Sequence, residues 1–102
     1  MDEPMSNEDI AEKVFRFVCG WFGVTKEEIL SRSRRRVLAD ARTVWCYVMR
    51  HHTDLSLPEL GRRIERTHAD VMYHVTKGYD YEKDRKLNTN CHDAITQVAL
   101  SL

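Results

Sequence analysis

Apolar residues recur along this chain at intervals of three and four. Ile10, Val14, Phe17, Val18 and Trp21 fall on one helical face. Ser6 followed by Asp9 has the spacing of a capping box, and Gly20 and Gly23 mark where that helix should stop. Thr25 with Glu28 opens a short second helix through about Leu30. The segment Ser31-Arg-Ser-Arg-Arg-Arg36 has no apolar periodicity and predicts an exposed basic loop. Ala41, Val44, Trp45, Val48, Met49 and His52 then repeat at helical spacing, which predicts a central strut with Trp45, like Trp21, as a core anchor.

Thr53-Asp54 interrupts the pattern. Ser56 with Glu59 caps the next helix, and Pro58 is tolerated in a first turn that has no use for its missing N–H. Leu57, Leu60 and Ile64 share its apolar face. A tight turn near Glu65-Arg66 precedes a fourth capping pair, Thr67 with Asp70. The helix that follows is expected to bury Val71, Met72 and Val75, with Tyr79 as a further candidate and Gly78 weakening its end. Beyond a charged stretch at 80–86, Ile95, Val98, Ala99 and Leu102 predict a final helix. Strand-type alternation is absent, so the expected class is all-α, a single domain over residues 1–102 with 80–102 as a C-terminal extension.

Charge changes this picture more than composition does. The chain has no net charge, but residues 31–77 hold ten basic and five acidic side chains. Residues 1–30 hold three basic and seven acidic ones. A basic middle is an electrostatic footprint for polyanions. No apolar run is long enough to span a bilayer, and the acidic Met-Asp-Glu-Pro start lacks the layout of a signal peptide, so the cytoplasm is the expected compartment. With that methionine start a short natural protein is expected, and an excised domain is the alternative. Cys19, Cys46 and Cys91 are expected as reduced thiols. Neither His51-His52 near Cys46 nor Cys91-His92 has zinc spacing, so no metal is expected. Nucleophile motifs, paired pocket carboxylates and the G-x-x-x-x-G-K-[ST] phosphate loop are missing, which predicts neither enzyme activity nor a cofactor.

Residues 56–79 read as a short helix, a tight turn and a second helix, the layout of a helix-turn-helix. Around it lie Trp21-Phe-Gly-Val24, Glu28-Ile-Leu-Ser31, the basic run through Arg36 and Ala41-Arg42. The most specific stretch is Ser56-Leu-Pro-Glu-Leu-Gly61, followed by Arg66-Thr-His68 and Val71. In these residues the chain resembles domain IV of the bacterial replication initiator DnaA, where the corresponding segments read S-L-P-E-I-G and R-D-H-T-T-V. One residue is missing here between Gly61 and Arg66. The resemblance runs from about Ile10 to about Tyr79 and implies a Trp-repressor-like helical domain that binds double-stranded DNA at an origin.

Position by position, the resemblance implies that Arg34 reaches a base edge in the minor groove while Arg32, Arg35 and Arg36 attract phosphate. It places Arg42 at a DNA contact near the start of the long helix and Arg50 at a phosphate contact at its end. Ser56 and Leu57 match phosphate-holding positions at a helix N-terminus. Arg66, Thr67, His68 and Ala69 open the reading helix, with His68 at the bases, and Lys77 matches a basic position toward its end. One of Tyr73 and His74 is expected to point outward beside His68. The chain departs from the family at Thr67, Ala69 and Asp70, where the motif has Asp, Thr and Thr. Asp70 is expected to cap its own helix. Two other functions fit the same fold: a protein-binding regulator or decoy of replication, motivated by Asp70 and the acidic flanks, and transposase-type DNA recognition. The DNA reading requires Arg34, Arg42, Arg50, Arg66 and His68 to share one face.

Overall fold

A computed structural model describes residues 5–102, so the acidic start at 1–4 lies outside the described residues. The helices are α1 (Asn7–Phe22), α2 (Lys26–Leu30), α3 (Arg36–His52), α4 (Leu57–Ile64), α5 (His68–Lys83) and α6 (Thr89–Ser101), with a 3₁₀ turn at Arg85–Leu87 before α6. No strand occurs among the described residues. The four capping pairs all form: Ser6, Thr25, Ser56 and Thr67 each accept from the backbone N–H three residues on, and the acidic partner reaches back. These boxes satisfy orphan N–H groups and set where each helix starts, independently of packing.

The centre of the fold is α3. Ala41 through Met49 are all buried, and α1, α2, α4, α5 and α6 pack around it. A helix buried on every side needs neighbours on every side. Trp45 is fully buried against Phe15, ring centroids 4.9 Å apart, and its indole N–H has no partner among the described residues. Residues 80–102 continue the same core, since Cys91, Ala94, Ile95 and Val98 of α6 are buried with it. Cys46 and Cys91 are buried and Cys19 half-buried, all as free thiols. Burial pushes the Cys91 thiol up to about 12, so it stays protonated at neutral pH.

Several expectations change. Gly20 does not end α1, which runs to Phe22 and turns at Gly23 with φ 67. Trp21 is a rim residue rather than a core anchor: it stacks on Phe17, donates to Asn90 Oδ1 at 2.9 Å and is more than a third exposed. His52 is exposed, because α3 has left the core by its last turn. Met72 is half exposed, since α5 buries the face defined by Val71 and Gly78 with Val75 partly covered, and Met72 is rotated off that face. Gly78 does not end α5, which continues to Lys83. A Cβ at Gly78 would lie 2.5 Å from Tyr47 Cβ, so a hydrogen there is what lets α5 approach α3. The shortened turn between α4 and α5 closes through Glu65 at φ 56, with the Arg66 N–H donating to Gly61 O at 2.8 Å.

Candidate nucleic-acid interface

The basic loop lies between α2 and α3. Arg32 and Arg34 are exposed, and neither forms a salt bridge to a described residue. Arg35 is paired with Glu28 at 2.8 Å, and Arg36 begins α3 and pairs with Asp40 at 3.1 Å. The exposed Arg35–Glu28 pair is weak and can be exchanged for phosphate, whereas the Asp40 carboxylate is mostly covered and also accepts from Asn88. The charge of both pairs is nevertheless locally balanced, so the free positive charge of the arm sits on Arg32 and Arg34.

Two of the expected contact residues are engaged inside the fold. Arg42 is 4 % exposed and spends its guanidinium on backbone carbonyls. Its Nε donates to Ile29 O at 2.8 Å, Nη1 to Ser33 O at 2.8 Å, and Nη2 to Ser31 O at 2.9 Å and Glu28 O at 3.2 Å. Arg66 is half-buried; its Nη1 reaches the carbonyls of Leu30, Ile64 and Glu65 and its Nη2 donates to Ser31 O. Both therefore hold the loop from within. Arg42 is thus committed to the end of five-residue α2, where the carbonyls of Ile29 and Ser31 have no donor from the helix itself.

Along α5 the first turn is set by its cap. Asp70 accepts from Thr67 N at 3.3 Å and Thr67 Oγ1 at 3.0 Å. These bonds, with Arg66 a smaller influence, hold its carboxyl below the ordinary aspartate range, so it stays ionised and turned toward its own helix start. His68 and Ala69 are exposed. Of the aromatic pair beyond them, Tyr73 points outward, 59 % exposed, with the Lys77 ammonium 5.9 Å from its ring centroid. His74 turns inward, its Nδ1 2.8 Å from Thr43 Oγ1. Burial, with Arg42 nearby, lowers its pKa to about 4, so it is neutral at physiological pH. His74 lies one turn from Val71 on the face that also holds Val75 and Gly78, and Tyr73 lies on the opposite one; the packing of α5 on α3 supplies the Thr43 partner.

The outward face of α5 is a shallow cleft of about 590 Å³ lined by Leu57, His68, Ala69, Met72, Tyr73, Thr76, Lys77 and Asp80. A second cleft of about 300 Å³ runs between α5 and the basic loop, lined by Arg32, Ser33, Arg34, Arg42, Arg66, Asp70 and His74. On the far flank Arg50 and His51 meet Met72, Val75, Thr76 and Tyr79. Arg34, His68, Lys77 and Arg50 thus surround one helix, with Arg42 and Arg66 beneath the arm. Ser56 sits at the α4 start, but its hydroxyl is committed to its own cap, accepting from Glu59 N at 3.3 Å and donating to Glu59 Oε1 at 2.9 Å. Pro58 brings no N–H, so the Leu57 backbone carries most of what that helix start offers an anion.

This arrangement of a short helix, a tight turn and a reading helix matches the family described as bacterial dnaA protein helix-turn-helix over residues 11–77. The chain belongs to this DnaA family. Among similar proteins is the chromosomal replication initiator protein DnaA of Oleidesulfovibrio alaskensis, 44% identical over 61 residues, which are 60% of this chain and 13% of that protein. The same-named protein of a Synechocystis species is 38% identical over 87 residues, 79% of this chain and 20% of that protein. The chain therefore spans a fifth or less of the length of these DnaA relatives. Among the described residues no helix is long and apolar enough to cross a membrane.

Proposed function

We propose that this DnaA-family domain binds double-stranded DNA, with α5 in a major groove and the arm of Arg32 and Arg34 in the adjacent minor groove. The observation that carries this reading is the pair of unbridged, exposed arginines set beside the outward face of α5. A narrow minor groove concentrates negative potential and accepts arginine. A helix fits the major groove, where His68, Ala69, Tyr73, Thr76 and Lys77 would meet base edges and Arg50 and the Leu57 backbone the flanking phosphates. Thr67 is spent on its cap and supports the turn rather than reading a base. The names of its relatives extend the proposal to origin recognition by a replication initiator in the bacterial cytoplasm, here by one domain over 1–102 acting without catalysis or cofactor of its own. Selection of bound duplexes from a random pool at about 0.15 M salt tests it, since specific contacts survive there and most non-specific binding does not. Recovery of a discrete sequence is the expected result; an unenriched pool rejects the reading.

One observation favours a second reading, in which the face binds protein. Asp70 is ionised and lines the cleft beside the arm. Asp70→Thr separates the two. If the face docks DNA, removing that carboxylate strengthens binding. It also costs the domain about 0.3–1 kcal/mol of helix-start stabilisation. If the face docks protein, both forms ignore every duplex.

A further inference from the structure

The hydrogen bonds of Arg42 and Arg66 converge on one atom. The Ser31 carbonyl accepts from Arg42 Nη2 at 2.9 Å and also from Arg66 Nη2. Arg42 belongs to α3, the strut of the fold. Arg66 lies in the turn, next to Thr67, the residue that caps α5. Ser31 is the C-cap of α2 and the root of the basic arm. It has φ −70, so the left-handed turn that commonly closes helices is not used here. The carbonyls of Ile29 and Leu30 are answered instead by the two guanidiniums, while that of Glu28 accepts from the Ser31 N–H at 3.1 Å and the Ser31 hydroxyl at 2.6 Å, with Arg42 as a third donor. Placing positive charge at a helix C-terminus is also favourable to its dipole.

Resting on the DNA-binding reading above, we propose that Arg42 and Arg66 are positioning residues that clamp Ser31 and so fix the spacing between the minor-groove arm and α5. Arg42 is fitted to this task rather than to phosphate. A guanidinium has five N–H donors, and four of its bonds here already go to carbonyls. A planar fork can hold several carbonyls in one arrangement; an ammonium on a flexible stem cannot. The consequence is a rigid rule. The arm and the reading helix move as one body, so the two grooves must be engaged in a single register.

The test uses Arg42→Lys, with Arg66→Lys probing the clamp from its other side and far-UV circular dichroism confirming the fold. In the free protein, the backbone amide resonances of residues 31–34 should shift or broaden while those of α6 stay in place. In a random-pool selection, base preference on the arm side should flatten while that on the α5 side persists. Affinity for the wild-type sequence should fall about tenfold, within the range for losing one specific base contact. A phosphate-contacting arginine would behave oppositely. Lysine would keep affinity and preference, and Arg42→Met would reduce the salt slope by about one unit. Either of those results overturns the clamp. If wild-type protein selects no duplex, the DNA reading fails, and the amide spectrum decides the clamp by itself: undisturbed loop resonances in Arg42→Lys reject it.

Discussion

Gly78→Ala is expected to destabilise the domain, although alanine is the better helix former. Gly78 lies inside α5, ten residues after its first, where glycine costs about 1 kcal/mol relative to alanine. Propensity alone therefore predicts a gain of that size. Packing opposes it. The new methyl would lie 2.5 Å from Tyr47 Cβ, 2.7 Å from Cγ and 2.9 Å from Cδ1. Carbon atoms rest at about 3.5–4.0 Å, so α5 must back away by about 1 Å. Tyr47 Cβ is fixed to the α3 backbone and cannot swing aside, as the tip of a long side chain would. Overpacking of this kind costs about 1–3 kcal/mol or more, and a backbone-anchored clash belongs at the upper end. The net expectation is a loss of about 2 kcal/mol, or about 10 °C in Tm for a domain of this size. Gly20→Ala is the internal control. It sits in α1 with nothing within 4 Å of its new Cβ, so only the propensity term acts, and stability should rise by about 0.5–1 kcal/mol. Urea unfolding followed by circular dichroism measures both. If Gly78→Ala is as stabilising as Gly20→Ala, the close approach of α5 to α3 is wrong, and with it the placement of the reading face.

Other outcomes follow from individual side chains. His74 has a folded pKa of about 4 against an ordinary value of 6.5. Between those limits the unfolded chain binds a proton that the folded one refuses, so its stabilising contribution is full above pH 6.5 and is lost as pH falls toward 4. The loss is at most about 3 kcal/mol; His74→Gln should flatten that part of the stability–pH curve, and an unchanged curve would show that His74 is not buried neutral. Arg34→Ala should weaken binding to a selected duplex by about 1–3 kcal/mol and relax one position, whereas Arg50→Ala should weaken all sequences alike and flatten the salt slope by about one unit. Fluorescence anisotropy across a salt series distinguishes the two, and no effect from either would count against the proposed grooves. Glu65→Gly should stabilise by about 1 kcal/mol, because Glu65 holds φ 56, where a side chain is disfavoured. A loss in urea unfolding would show that Glu65 contributes more than its backbone.

Much of this protein is local, and local features are legible in a linear sequence. Each capping box is a three-residue relation between a hydroxyl and a carboxylate, and all four form where the spacing predicts. The central helix, the helix-turn-helix and the exposed basic loop follow from periodicity in the same way. The family kinship is legible too, because Ser56-Leu-Pro-Glu-Leu-Gly61 and Arg66-Thr-His68 combine cap, turn and reading positions in one short stretch. What only the tertiary structure decides is the direction in which side chains are spent. Arg32 and Arg42 look alike in sequence, yet one stands in solvent and the other is buried among the carbonyls of a helix end. Tyr73 and His74 are adjacent and polar, and only the packing of α5 on α3 brings the Thr43 hydroxyl of another helix to the His74 ring and leaves Tyr73 in solvent. Gly78 looks like a weak spot in a helix until Tyr47 is seen against it. The physical reason is common to all three. Hydrogen bonds to caps join residues a few positions apart, but a guanidinium, an imidazole or a missing Cβ finds its partner across distances along the chain that no local pattern records.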